Sequence, residues 1–165
     1  MAAVGDVDAA SASVTVEAGV VLAALHARLE GTGLQFPLRL GAEGSAQVGG
    51  LIGTNAGGSH AFRHGMMGDL VLGLEVVLPD GTVWDGMRAV QKDNAGYQLR
   101  RLFCGAEGTL GVVTRAVLRL APVPARRTTA LLALPGIAEA VVFGTRLRAE
   151  AGEFLTSLEF FSEIG

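Results

Sequence analysis

Between Leu40 and Gly58 the chain reads LGAEGSAQVGGLIGTNAGG, and seven of the eighteen residues from Gly41 to Gly58 are glycine. Glu43 is the only charged residue in the stretch. Glycine reaches backbone conformations closed to other residues and lets a ligand come close to the main chain. With Ser45, Thr54 and Asn55 the stretch offers many N–H groups and short polar caps, with few side chains in the way. Those are the groups needed to hold a phosphate or a flat polar ring through main-chain hydrogen bonds. The competing reading is a flexible linker. Val48, Leu51 and Ile52 argue against it, because a Gly/Ser linker carries no such apolar residues.

A length of 165 residues suits one domain, or one domain plus part of another. Half the residues are apolar, so a real core is expected rather than disorder. Aromatics make up only 5 %, so that core must be built from Val, Leu and Ala. A net charge of −3 argues against a nucleic-acid partner. The pairs Arg100–Arg101 and Arg126–Arg127 are short and separated, as solvated faces are. Cys104 is the single cysteine, which leaves no internal disulfide and no cysteine-based zinc site. It fits a reducing compartment, so a cytoplasmic location is expected. Every apolar run is interrupted before the roughly 18 residues of a membrane span. The N-terminal MAAVGDVDAASAS carries acids rather than a basic flank, unlike a signal peptide.

Along the chain, the first dozen residues are small and polar and are expected to fray. Val14 to Val16 alternates as a strand does. Val20 to Glu30 has a helical pattern, with Val21, Leu22, Leu25 and Leu29 on one face and Gly31 and Gly33 as its end. Gln47 to Thr54 fits a short helix in spite of its glycines. Each glycine there costs about 1 kcal/mol against alanine, which implies that something packs close. His60 and His64 lie four apart, but Gly57, Gly58 and Gly65 disfavour a regular helix and no third ligand is near, so no metal site is assigned. Val71 to Leu78 is a strong strand. Pro79-Asp80-Gly81-Thr82 is a turn in which proline sets φ and glycine takes positive φ, and Val83-Trp84 returns as the partner strand.

Lys92 to Tyr97 is turn-like, and Gln98 to Cys104 reads as a short helix with Leu99, Leu102 and Phe103 inward. A second glycine-rich turn, Gly105-Ala106-Glu107-Gly108-Thr109-Leu110-Gly111, opens directly onto a β-branched strand from Val112 to Leu120. Pro122 and Pro124 mark a domain boundary. Beyond it Thr128 to Leu134 is strand-like, Ile137 to Ala151 helical and Phe154 to Phe161 extended. This βαβ piece has an apolar face that needs a covering partner.

The common nucleotide and hydrolase signatures are absent: G-x-G-x-x-G, G-x-x-x-x-G-K-[ST] and G-x-S-x-G do not occur. What remains is a pair of glycine turns about fifty residues apart with a hairpin between them. Four blocks occur in order: PLRLGAEGSAQVGGLIGTNAGG, RHGMMGDLVLGLEVVLPDGTVW, KDNAGYQLRRLFCGAEGTLGVVT and a closing Pro-x-Pro. Together, from about Val14 to Pro124, they resemble the FAD-linked oxidases of the vanillyl-alcohol-oxidase type, with a PCMH-type FAD-binding fold. The likeness is to the branch of D-lactate, glycolate and D-2-hydroxyglutarate dehydrogenases.

The resemblance implies an α+β fold. Residues 1–121 would be the C-terminal part of the FAD-binding domain, with an antiparallel sheet flanked by helices. Residues 122–126 would be a linker and 127–165 the beginning of an α+β substrate (cap) domain. It implies FAD as cofactor, with Pro37, Gly41, Ala42, Gly44, Ser45, Val48, Gly49, Gly50, Thr54, Asn55, Gly57 and Gly58 lining it from the first stretch. Glu107, Gly108, Thr109, Gly111 and Val112 would meet it from the second turn. Two alternatives stay open. Gly53 and Gly105 read equally well as turn glycines, and Glu107 as a turn-stabilising acid. Cys104 reads as a small core residue. His64 stands where the family has tyrosine, in Arg63-His64-Gly65.

The family's pyrophosphate-gripping Pro-Arg-Gly-Gly-Gly loop is expected before this chain, and most of the cap after it. The cap would supply carboxylate-binding arginines, the base and any metal ligands, so no catalytic residue is named here. The implied parent enzyme oxidises a small-molecule D-2-hydroxy acid, its hydroxyl proton going to a base and hydride from Cα to the flavin. A polypeptide supplying the missing subdomain and cap is the expected partner. The rival reading is a non-catalytic remnant or partner-completed structural domain that no longer binds FAD alone. A peptidoglycan-precursor reductase sharing the fold fits less well, because its blocks differ.

Overall fold

Alternating valines build the centre of the sheet. In the computed structural model, which describes residues 1–161, β2 (Ser13–Glu17) buries Val14 and Val16 against β6 (Val112–Arg119), which buries Ala116 and Leu118. The two run antiparallel, with Val14 opposite Leu118 and Val16 opposite Ala116. β4 (Val71–Val77) lies on the other side of β6, and β5 (Val83–Gly86) returns along β4. With β1 (Val4–Asp8) the sheet has the order β1-β2-β6-β4-β5, each neighbouring pair antiparallel. Leu34–Gln35 (β3) and Ala121–Pro122 (β7) form a separate two-stranded ladder.

Two helices close the core. α1 (Leu22–Leu29) buries Leu22, Leu25 and Leu29, and α2 (Val48–Gly53) buries Val48, Leu51 and Ile52. Phe36, Leu38, Met67 and Leu70 fill the space between them and the sheet. Two one-turn helices follow α2, α3 (Ala61–His64) and α4 (Met67–Leu70). The hairpin between β4 and β5 turns as its residues dictate. Gly81 has φ +85°, its N–H donates to the Leu78 carbonyl at 2.9 Å, and Asp80 accepts from the Thr82 N–H at 2.9 Å.

Four expectations are corrected. The first residues do not fray: β1 pairs with β2, Val4 opposite Val16 and Val7 opposite Val14, and both valines pack against the core. An irregularity between Val4 and Val7 breaks the two-residue alternation, which hides the strand from a periodicity reading. The helix after Tyr97 is only α5 (Arg100–Phe103), and Leu99 and Leu102 face outward while Phe103 alone packs inward, its ring 5.3 Å from that of Trp84. Residues 128–134 form no strand, and Leu131 is almost fully exposed. After α6 (Ile137–Ala151) a short 3₁₀ turn, Gly152–Phe154, replaces the start of the expected extended segment, and no strand follows through residue 161. These segments have strand-like composition but pair with no strand among the described residues, and an unpaired strand has no ladder to satisfy it.

Candidate functional site

The first glycine loop is pinned at its back by α1. The N–H groups of Leu22 and Ala23, which lack partners inside that helix, donate to the carbonyls of Ala46 (2.9 Å) and Glu43 (3.0 Å). The loop thereby satisfies the helix end that Val21 cannot cap with its side chain. Glu43 locks the loop from below. Its carboxylate accepts from Arg39 Nη1 at 3.2 Å and from the Leu40 N–H at 3.3 Å. His26 Nε2 lies 4.0 Å from the same carboxylate, buried and without a hydrogen-bond partner among the described residues. Burial holds the His26 imidazole below the usual histidine range, and Arg39 adds to that.

With the loop fixed this way, the N–H groups of Gly41, Ala42, Glu43 and Gly44 meet no acceptor among the described residues. Ser45 N–H closes the turn onto Ala42, and the Ser45 side chain is exposed beside it. At the start of α2 the N–H of Val48 is spent on the Val20 carbonyl (2.9 Å) and that of Gly49 on the Ala18 carbonyl (2.7 Å). The Val48 side chain is fully buried, and so is Pro37. Gly50, one residue further on, has an exposed edge and an N–H without an acceptor among the described residues.

The two glycine-rich bends meet. At the C-terminal end of α2 the carbonyls of Ile52 and Gly53 accept from the N–H groups of Gly105 (3.0 Å) and Glu107 (2.9 Å). The second bend therefore caps the helix that carries the first. Asn55 and Glu107 flank this joint, both with positive φ (47° and 49°). Asn55 Oδ1 accepts the buried Gly68 N–H at 2.8 Å, which accounts for an asparagine in that conformation. The Glu107 side chain is exposed and makes no such bond. Thr54 Oγ1 turns back onto the Gly50 carbonyl (2.9 Å) and Thr109 Oγ1 onto the Ala106 carbonyl (2.6 Å). Gly108 and Val112 are exposed on the same bend, and Gly57 follows Asn55 at the surface.

What a side chain would meet sorts these glycines by role. A Cβ on Gly49 would lie 2.8 Å from that of Ala18, one on Gly58 would strike the Arg39 carbonyl, and one on Gly111 would lie 2.7 Å from Val76 Cγ1. Those three glycines serve packing. Gly105 and Gly108 have positive φ and serve the turn. Gly41, Gly44 and Gly50 have ordinary φ and nothing within 4 Å of where a Cβ would stand. Neither conformation nor protein packing requires glycine at these three positions, and they sit beside N–H groups with no acceptor. Their main chain is open to the close approach of a ligand.

Sequence reasoning passed over Glu43 as a mere charge. Its signal was Arg39 four residues earlier, the spacing of an ion pair. Cys104 is half-buried, its thiol bonded to the Arg100 carbonyl and pushed up by burial. No group of three metal-binding side chains occurs among the described residues.

The antiparallel sheet, its covering helices and the bare glycine loop are those of an FAD-binding domain. Residues 1–86, just over half of the chain, match the family model for that domain, and the chain belongs to that family. Among individual proteins, it is 46 % identical over 144 residues to the mitochondrial D-2-hydroxyglutarate dehydrogenase of Bos taurus, covering 87 % of this chain and 26 % of that protein. It is 40 % identical over 155 residues to a D-2-hydroxyglutarate dehydrogenase of Xanthomonas citri, and 38 % identical over 157 residues to a D-2-hydroxyglutarate–pyruvate transhydrogenase of Saccharomyces cerevisiae. The chain spans about a quarter to a third of the length of these relatives. The fold also matches solved alkyldihydroxyacetonephosphate synthase, with a TM-score of 0.75 at 24 % identity over 91 % of this chain and 27 % of that one. FAD is accordingly the cofactor of this domain, and the glycine loop offers main-chain donors and open room that fit it.

Proposed function

We propose that this chain is the cofactor-holding part of a flavin-dependent dehydrogenase of D-2-hydroxy acids, of the D-2-hydroxyglutarate or D-lactate type. Three glycines that neither φ nor packing requires, beside unpartnered N–H groups, carry this reading. The relatives' names supply the substrate class. FAD, when bound, supplies the hydride acceptor for oxidation at the substrate's Cα. The N–H groups from Gly41 to Gly44 and that of Gly50 would hold it by main-chain hydrogen bonds, and Gly108 and Thr109 would meet it from the second bend. The N–H of Glu107 on the Gly53 carbonyl joins the two bends.

In this reading residues 1–121 belong to the FAD-binding domain, 122–126 link, and 127–165 begin the cap. The cap of the complete enzyme brings the base and the groups that hold the substrate carboxylate. The outward apolar side chains Leu131, Ile137, Val142 and Phe154 support a covering polypeptide for this last part. Among the described residues no helix is long and apolar enough to cross a membrane. The lone Cys104 supports a reducing compartment such as the cytoplasm.

The test is direct. The purified chain is mixed with FAD, desalted, and its visible spectrum recorded, alone and together with a polypeptide carrying the remainder of the enzyme. Retained flavin bands are expected at least in the mixture. Colourless protein in both cases overturns the assignment in favour of a fold that has lost its cofactor.

A further inference from the structure

At the foot of the glycine loop, where it begins at Arg39 and ends at His60, cations gather without matching carboxylates. His60 and His64 stand with ring centroids 6.4 Å apart. Arg39 and Arg127 act on His60, and Arg63 and Arg119 act on His64. Main-chain and side-chain bonds tether the segments that carry them. Arg39 O accepts from the Ser59 N–H at 2.9 Å, Arg119 Nη2 reaches the His64 carbonyl at 3.5 Å, and Arg127 Nη2 is held by Gln35 Oε1 at 2.9 Å.

The acids nearby are committed. Glu43, which also acts on His60, is bonded to Arg39, and Asp69, whose carboxylate also feels Arg119, accepts from Arg101 Nη2 at 3.0 Å. Among the described residues no carboxylate pairs with Arg63, Arg119 or Arg127. Arg63 and Arg127 are exposed, the two histidines and Arg119 half-buried, and His60 Nδ1 is buried with no partner. In a chain of net charge −3, a patch that collects unpaired cations on half-buried imidazoles is one that attracts an anion.

We infer that His60, His64, Arg63, Arg119 and Arg127 form an oxyanion-binding site, separate from the glycine loop, for a phosphate or carboxylate group. Guanidinium and imidazolium groups give such an ion charge-assisted hydrogen bonds, and partial burial limits screening by water. The site works best when the imidazoles carry protons. Burial first, and then the arginines, keep both rings neutral near pH 7. An arriving anion favours the protonated form, so binding tightens as the pH falls through the histidine range. The inference does not rest on FAD binding.

Histidine NMR titration of the whole chain tests it. In about 10 mM inorganic phosphate or glutarate, against chloride at equal ionic strength, the midpoints of His60 and His64 are expected to rise by about half a unit or more, a roughly threefold preference of the anion for the protonated ring. His26, backed by Glu43, serves as reference and moves less. The double variant Arg63→Gln, Arg127→Gln is expected to weaken binding about tenfold, in line with the loss of one or two charge-assisted bonds. Arg63→Lys with Arg127→Lys keeps most of it, which separates charge from fold. Identical midpoints in phosphate and chloride overturn the site, as does an undiminished shift in the glutamine variant. FAD provides the last arm: if it displaces phosphate from these histidines, the ion belongs to the cofactor's own diphosphate and a separate site is refuted.

Discussion

Single residues at the glycine loop divide into those that serve the fold and those that leave room. Gly50→Val places its side chain in open space, so stability is expected to change by no more than about 1 kcal/mol while FAD retention is lost. Gly111→Val is different. Its side chain meets Val76 Cγ1 and the Val77 carbonyl, so a loss of about 1–3 kcal/mol is expected from overpacking alone. Urea midpoints and flavin spectra on both variants check the distinction; a Gly50→Val chain that keeps FAD at unchanged affinity removes that glycine from the site. The two residues with positive φ at the joint also separate. Asn55→Ala strands the buried Gly68 N–H and is expected to cost about 1–3 kcal/mol. Glu107→Gly relieves a strained backbone and should stabilise by about 1 kcal/mol. A Glu107→Gly chain with a lower thermal midpoint would assign its side chain a stabilising bond that is absent here.

Elements differ in how much the core depends on them. α2 is only six residues long and half glycine, so it owes its helicity to packing rather than propensity. Its Ile52 is fully buried in the core, and Ile52→Ala is expected to cost about 2–5 kcal/mol. α6 is more than twice as long and buries none of its side chains. Val142→Ala there should change the urea midpoint by less than about 0.5 kcal/mol equivalent in this chain. If a completing polypeptide covers α6, the same substitution becomes costly in the complex, and that difference measures the interface. The extents of α2 and α6 were legible in sequence, where Gln47 to Thr54 and Ile137 to Ala151 read as helical. β1 was not legible, because its bulge breaks the alternation on which strand reading relies.

Across the whole molecule, three histidines share one thermodynamic sign. Burial is the first cause that holds His26, His60 and His64 below their ordinary range. The folded chain thus binds fewer protons than the unfolded chain near pH 6. Stability is complete above the unfolded histidine value of about 6.5 and falls as the pH drops through the window below it. Asp69, held low by Arg101, adds a further loss in the carboxylate range, at about pH 4 and below. Thermal midpoints in chloride buffer should therefore fall from about pH 7.5 to about pH 5.5, and a flat profile contradicts the buried neutral imidazoles. The amino-acid sequence by itself determined the two glycine bends, the hairpin between them and the family they point to, because local turn chemistry and ordered short blocks are carried by neighbouring residues. Only the tertiary structure decided which glycines pack against Ala18, Arg39 or Val76 and which face open space. Only it joined Gly53 to Glu107 and set Glu43 beneath the loop, because those contacts depend on chain segments brought together across the fold.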